Sequence, residues 1–221
     1  VVDMEDRTHG DGVSFADGFE VDRDGRGGRD HLIDIEEVSG SIYDDTFHGD
    51  TLGTAFDGFS GTADEYRLTY QTTDYAITLG ADGGDGWQLL TWNGNTNNLR
   101  NIDIIRLGHG AETFTGADTD DYVIAGLGDD VWRYSAGDDT FNGEGGNNTV
   151  DFSLYGGDVT VDFTSVFTTI DTVDFVQIDK GGVNADLVSD ITGITTGAGA
   201  DTITHDFTGG TINTGAGADI V

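Results

Sequence analysis

LGHGAETFT-GADTDDYVI-AGLGDDVWR-YSAGDDTFN-GEGGNNTVD, running from Leu107 to Asp151, is the stretch whose reading decides the fold. It divides without remainder into five units of nine residues. The sixth place is Glu112, Asp121, Asp130, Asp139 or Asn148, an oxygen-bearing side chain each time. The eighth place is Phe114, Val123, Trp132, Phe141 or Val150, a large apolar side chain each time. Glycine or another small residue recurs at places one, two and four. An acid and a hydrophobe held in fixed phase point to a repeated structural unit, in which short strands alternate with tight turns.

Bulk properties narrow what such a repeat can be. Forty-two acids against nine bases leave a net charge of −33. That argues against a nucleic-acid partner, whose phosphates would be repelled, and against an anionic membrane surface. With 36% hydrophobic and 10% aromatic residues the chain is too apolar for a disordered acidic tail. Two readings of the acidity remain, a solvating surface and neutralisation by bound cations; acids placed in phase favour the cations. Cysteine and proline are absent from the 221 residues, so no disulfide, Cys-ligated zinc or thiol nucleophile exists. No apolar run approaches the roughly 20 residues needed to cross a bilayer, and the N-terminus shows no basic segment followed by an apolar one. Because it begins at Val1 and stops within a repeat at Val221, the chain is expected to be a piece of something longer.

Outward from the central run, the pattern weakens. Residues 1–66 read as a degenerate module: a polar loop from Glu5 to Asp30, a strand in HLIDIEEV, then GSIYDDTFH with Asp45 and Phe47 in phase. The loop superficially follows an EF-hand through Glu20, Asp22, Asp24 and Gly25, but its twelfth place is His31 rather than the required Glu. Arg7, Arg23, Arg26 and Arg29 suggest a solvated loop with ion pairs instead. The unit at Gly49 carries Thr54 in the acidic place, and the next slips by one residue to Asp64 and Tyr66. Residues 67–151 read as strand hairpins followed by the main run. YRLTYQTTDYAITL is expected to form two strands around a Thr-Thr-Asp turn, GWQLLTWNGN a hairpin on Asn93-Gly94, and NIDIIRL the strand that delivers the chain to the repeats. Residues 152–221 repeat the plan, strand hairpins followed by repeats, with TVDFSLYGGDVTVDF expected to form two alternating strands around Gly156-Gly157. NADLVSDITGI is the delivery strand, and the final units place Asp201 and Asp219 at six with Ile203, Ile212 and Val221 at eight. Gly210 stands where the middle unit would have an acid. No amphipathic helix is expected.

These units resemble the hemolysin-type calcium-binding nonapeptides, G-G-x-G-x-D-x-U-x, of the RTX (repeats-in-toxin) family. AGLGDDVWR and TGAGADTIT are the nearest copies; LGHGAETFT and GEGGNNTVD depart at the acidic place. The resemblance implies an all-β, parallel β-roll or β-helix solenoid with calcium-binding loops, here interrupted by irregular strand-hairpin modules. It also implies a secreted bacterial protein, exported unfolded by a one-step (type I) system and folded by external calcium. On that geometry one unit is half a coil and eighteen residues complete it. Acids two units apart then share a loop edge: Glu112 with Asp130, Asp130 with Asn148, Asp121 with Asp139, and Asp201 with Asp219. Asp45 belongs to the degenerate module. The glycines permit tight turns whose carbonyls, at Gly108, Gly110, Gly116, Asp118, Ala125, Leu127, Gly137, Gly197, Gly199, Gly215 and Gly217, would complete hard, oxygen-only cages. Such cages suit several Ca2+ ions better than Mg2+ or softer metals.

No catalytic signature accompanies the repeats. His9, His31, His48, His109 and His205 are scattered, G-x-S-x-G and HExxH are absent, and Lys180 is the only lysine. Trp132 is expected in the core. Trp87, Trp92 and Tyr134, if exposed, would suit sugar stacking, so a carbohydrate-binding or polysaccharide-modifying module (lyase- or epimerase-like) is the alternative. A surface-layer or adhesin segment that self-associates is a second. Thr202 to Thr204 and Thr211 to Asn213 offer a two-rung ladder of the ice-binding kind.

Overall fold

The computed structural model describes residues 2–3, 19–22, 29–32, 36–49, 53–68, 73–182 and 184–221. Residues 23–28 of the EF-hand-like stretch, including Asp24 and Gly25, lie outside them, as do residues 69–72, which lead into the expected Thr-Thr-Asp turn. Among the described residues the structure is all-β, without helix, in two large and mostly parallel sheets. Among the described residues no helix is long and apolar enough to cross a membrane.

The repeat phase sets the sheet register. Ile105 pairs with Val123 and Val123 with Phe141 in one sheet, while Phe114 pairs with Trp132 and Trp132 with Val150 in the other. Each step is eighteen residues, so consecutive units alternate between the sheets. The strands are only three residues long, as at Thr113–Thr115, Tyr122–Ile124, Val131–Arg133 and Thr140–Asn142. A three-residue strand turns its central side chain to one face. That residue, at place eight, is buried from Phe47 to Ile203, with Phe47, Phe56, Tyr66, Phe114, Trp132 and Phe141 the largest of the series, while Ile212 is half-buried and Val221 exposed. Trp132 stacks on Phe141 of the opposite sheet at 6.0 Å, and Phe47 meets Phe56 at 5.6 Å. Each such side chain contributes about 1.5–3 kcal/mol by burial. The one-residue slip also holds: Phe47 pairs with Tyr66, nineteen residues on.

The interruptions depart more from expectation. Gln88–Trp92 and Asn95–Arg100 do form an antiparallel hairpin, with Asn93 and Gly94 at positive φ of 45° and 80° as a tight hairpin turn requires. Glu65–Arg67 and Ala76–Leu79, however, are not partners; they lie in different sheets. The same is true of Asn148–Asp151 and Thr160–Asp162, expected to pair around Gly156-Gly157. NADLVSDITGI is two strands, Ala185–Ser189 and Ile191–Thr195, divided by Asp190 at φ 55° and sent to opposite sheets. Alternation alone marks a strand without saying which sheet receives it. Val173–Asp179 pairs antiparallel with both Thr160–Asp162 and Ala185–Ser189. The sheets run across residues 66/67 and 151/152, since Tyr66 pairs with Ile105 and Val150 with Ile194. Thr202–Thr204 and Thr211–Asn213 also fall in different sheets and form no common ladder.

Candidate metal centre

Because each strand is so short, place six falls at the mouth of the turn, two residues before the core side chain. On one loop edge Asp45, Asp64, Asp103, Asp121, Asp139 and Asp186 stand in register, each just ahead of the strand residues that pair from one rung to the next. Backbone N–H groups tie them together. Asp45 donates to Asp64 Oδ1 at 2.7 Å, Asp64 to Asp103 Oδ2 at 2.8 Å, Asp121 to Asp139 Oδ1 at 3.0 Å and Asp139 to Asp186 Oδ1 at 2.9 Å. On the other edge Glu112 donates to Asp130 Oδ1 at 2.8 Å and Asp130 to Asn148 Oδ1 at 3.0 Å. Near the end of the chain Val159 donates to Asp201 Oδ1 and Asp201 to Asp219 Oδ1, at 2.8 and 3.1 Å. All four pairs expected from the spacing are therefore neighbours.

The carboxylates also fold back on their own turns. Ser41 N–H reaches Asp45, Gly61 N–H reaches Asp64, Gly110 N–H reaches Glu112 and Ala117 N–H reaches Asp121, at 2.6 to 3.1 Å. Even so, Glu112 Oε2, Asp130 Oδ2, Asp186 Oδ2 and Asp201 Oδ2 are buried and meet no hydrogen-bond donor. A buried carboxylate oxygen in that state calls for a partner the chain does not supply, namely a proton, a cation or a water molecule. The titration behaviour agrees. Burial, with the Asp130 charge next, raises Glu112 to about 8. Burial, with Asp139 adding, raises Asp121 to about 7. Burial, with Asp186 adding, raises Asp139 to about 7. Asp130 and Asp64 are raised as well, chiefly by burial.

Backbone oxygens line the same turns. A Cβ placed on Gly126 or Gly128 would overlap the carbonyl of Gly108 or Gly110, and one on Gly215 or Gly217 would overlap that of Gly197 or Gly199. These glycines allow the carbonyl of one turn to press against the next. Gly116 lies against the Asp121 carboxylate, while Asp118 and Leu127 sit at exposed turn tips. Among the described residues no point gathers three or more His, Asp or Glu side chains. A cation here would be held by one or two carboxylates, with backbone carbonyls completing the shell. That donor set is hard and all-oxygen, and it fits calcium.

Two expected ligands do not fit. Asn148 spends its Oδ1 on Asp130 N–H and turns its amide nitrogen to the carbonyls of Gly143, Gly145 and Asp190, at 3.0, 3.1 and 3.0 Å. It presents a donor where a ligand must accept. The Gly137 carbonyl is taken by Lys180 Nζ at 2.6 Å.

Other features were not expected from the sequence. Asp186 is fully buried and in register with Asp139, although 47 residues separate them. Its signal was present in the sequence: Asp186 and Val188 have the same two-residue spacing as Asp139 and Phe141. The place-five residues form a second ladder running the other way. Asp44 accepts from Thr62 N–H, Asp74 from Ala111, Asp120 from Asp138, Asp129 from Asn147, Asp138 from Ala185 and Asp158 from Ala200, at 2.7 to 2.9 Å.

The aromatic residues proposed for sugar stacking are otherwise engaged. Trp92 is a core residue, the Arg100 guanidinium covers the Trp87 ring at 4.1 Å, and Tyr134 packs on Phe152 and Tyr155. His48 is buried, while His109 and His205 are exposed and far apart in sequence. Comparison of the chain with protein-family models and with curated proteins gives no match.

Proposed function

We propose that this chain is a calcium-binding β-roll region of a larger secreted protein, folding on extracellular calcium after export. The observation that carries the reading is the set of buried, donor-less carboxylate oxygens on Glu112, Asp130 and Asp201, none of which has a cationic side chain against it. Parallel pairing at eighteen-residue steps within each of two sheets supports the β-roll. Glu112 with Asp130, Asp121 with Asp139, and Asp201 with Asp219 would hold the ions, with Asp45 and its neighbour Asp64 as a further pair. The carbonyls of Gly108, Gly110, Gly197 and Gly199 would add oxygens. Bound calcium would supply positive charge against carboxylates that burial and mutual repulsion now disfavour.

Magnitudes make this a folding switch. Extracellular calcium modules bind at about 0.1–1 mM. With the free ion about tenfold above such a Kd, each site adds roughly 1.4 kcal/mol, and about four sites together add roughly 6 kcal/mol. That is on the order of a whole domain's stability. A chain without cysteine also needs no oxidative step to fold outside the cell.

Equilibrium dialysis against calcium and magnesium tests the assignment. Several calcium ions per chain, retained in equal magnesium, are expected. No calcium uptake at millimolar concentration would overturn it.

A further inference from the structure

We infer that Lys180 is a chain-borne cation that fills one position of the acid column, so that the gap between the Asp139 and Asp186 turns takes no metal ion. The inference rests on the calcium reading, because it concerns which of the oxygen cradles that reading leaves to calcium.

Lys180 is the only lysine in the chain and is 3% exposed. It follows the strand Val173–Asp179, whose antiparallel pairing with Ala185–Ser189 sets Ile178 opposite Asp186. Its N–H bonds Asn184 O at 3.0 Å, closing the hairpin. The side chain then runs inward. Nζ lies 2.6 Å from Gly137 O and 2.6 Å from Asp186 Oδ1. Tyr134 and Tyr155 wall it, the Tyr134 ring centre at 5.4 Å, and the Tyr155 hydroxyl bonds Lys180 O at 2.8 Å.

The two oxygens that hold the ammonium are of the kind assigned to calcium elsewhere. Gly137 is the place-four carbonyl of its unit, equivalent to Gly110 and Gly199 in theirs. Asp186 is the acid that follows Asp139 in the column, bonded to it through Asp139 N–H at 2.9 Å. One carbonyl and one carboxylate from adjacent turns thus converge on a fixed positive charge. A divalent ion in the same gap would meet that charge at close range with little water between them, where repulsion is strong. The ammonium also bonds both oxygens, so a competing ion would leave it buried and unpaired. Asp186 Oδ2 still has no donor, so the cradle keeps an oxygen to offer once the ammonium is removed.

Calcium stoichiometry of the whole chain, measured by equilibrium dialysis for wild type, Lys180→Met and Asp186→Asn, decides the matter. Methionine keeps the length of the side chain and removes the charge. Lys180→Met is expected to bind one more calcium ion per chain than wild type, and Asp186→Asn the same number as wild type. An unchanged count in folded Lys180→Met, or the loss of an ion in Asp186→Asn, overturns the inference. If Lys180→Met does not fold, Asp186→Asn decides alone, since a calcium ligand lost there must lower the count. A wild type that takes up no calcium would overturn the calcium reading itself, an outcome distinct from unchanged counts among calcium-binding proteins.

Discussion

On one loop edge place six is acidic in every rung from Asp45 through Asp64, Asp103, Asp121 and Asp139 to Asp186; on the other it reads Tyr75, Glu112, Asp130 and Asn148. The same nine-residue unit builds both edges, and both meet the same problem of inward-facing oxygens. The acid-rich edge ends on Asp186, whose charge Lys180 offsets. The other ends on Asn148, whose amide N–H2 satisfies three carbonyls. Glu112 and Asp130, with no such cation beside them, keep buried carboxylate oxygens without donors. The contrast shows that the chain itself supplies a positive charge or an N–H donor at the two ends; on the calcium reading, cations from solution would supply the charge in between.

The broadest way to break this contrast is to replace metal with protons. Glu112 near 8, Asp121 and Asp139 near 7 and Asp186 near 6 all titrate higher in the fold than in an unfolded chain, first because of burial. Their support for a metal-free fold is complete below the ordinary carboxylate range and is lost as pH rises through 6, 7 and 8. Asp57 and Glu65 act oppositely. Burial works against their charge, but hydrogen bonds from Arg100 and from Arg67 and Arg106 outweigh it and hold both low, so their support fades only in stronger acid. In chelator, β-structure followed by circular dichroism should therefore be greatest near about pH 5 and fall towards pH 8. A metal-free fold that strengthens from pH 5 to 8 would refute the account of the acid edge.

Trp132→Ala removes the ring that both sheets share and should cost about 3–5 kcal/mol in saturating calcium, read from urea melts. Asn148→Asp should cost about 1–3 kcal/mol without calcium, because three carbonyls lose their donor and face a charge. It should also make folding more steeply dependent on calcium, turning the end of this edge into a copy of the other. The smallest effect is expected at Asp103, which is exposed: Asp103→Asn should shift stability by less than about 0.5 kcal/mol, whereas Asp121→Asn should weaken calcium binding measurably.

Much of this arrangement was legible in the sequence, for a physical reason. Places six and eight are strict because a carboxylate at the turn mouth and a hydrophobe two residues later serve separate demands, so the Glu112–Asp130 and Asp121–Asp139 pairings followed from counting. The hairpins were less legible. Asn93-Gly94 declares its turn through backbone conformation, but Asn148–Asp151 and Thr160–Asp162 alternate just as paired strands do while belonging to different sheets. Asp186 was hidden by the segment inserted after Asp139, and no local pattern ties Lys180, the only lysine, to it. The orientation of the Asn148 amide depends on Asp190 O, which arrives from 42 residues away. Sheet choice and long-range partners are set by packing, which local pattern does not encode.

The central claim is that cations from solution complete this fold. Far-UV circular dichroism at pH 8, with chelator and then with calcium raised from micromolar to about 10 mM, tests it most directly. The account predicts a largely unfolded spectrum in chelator and a cooperative gain of β-structure as calcium rises, with equal magnesium far less effective. Full β-structure in excess chelator at that pH, unchanged by calcium, would contradict it.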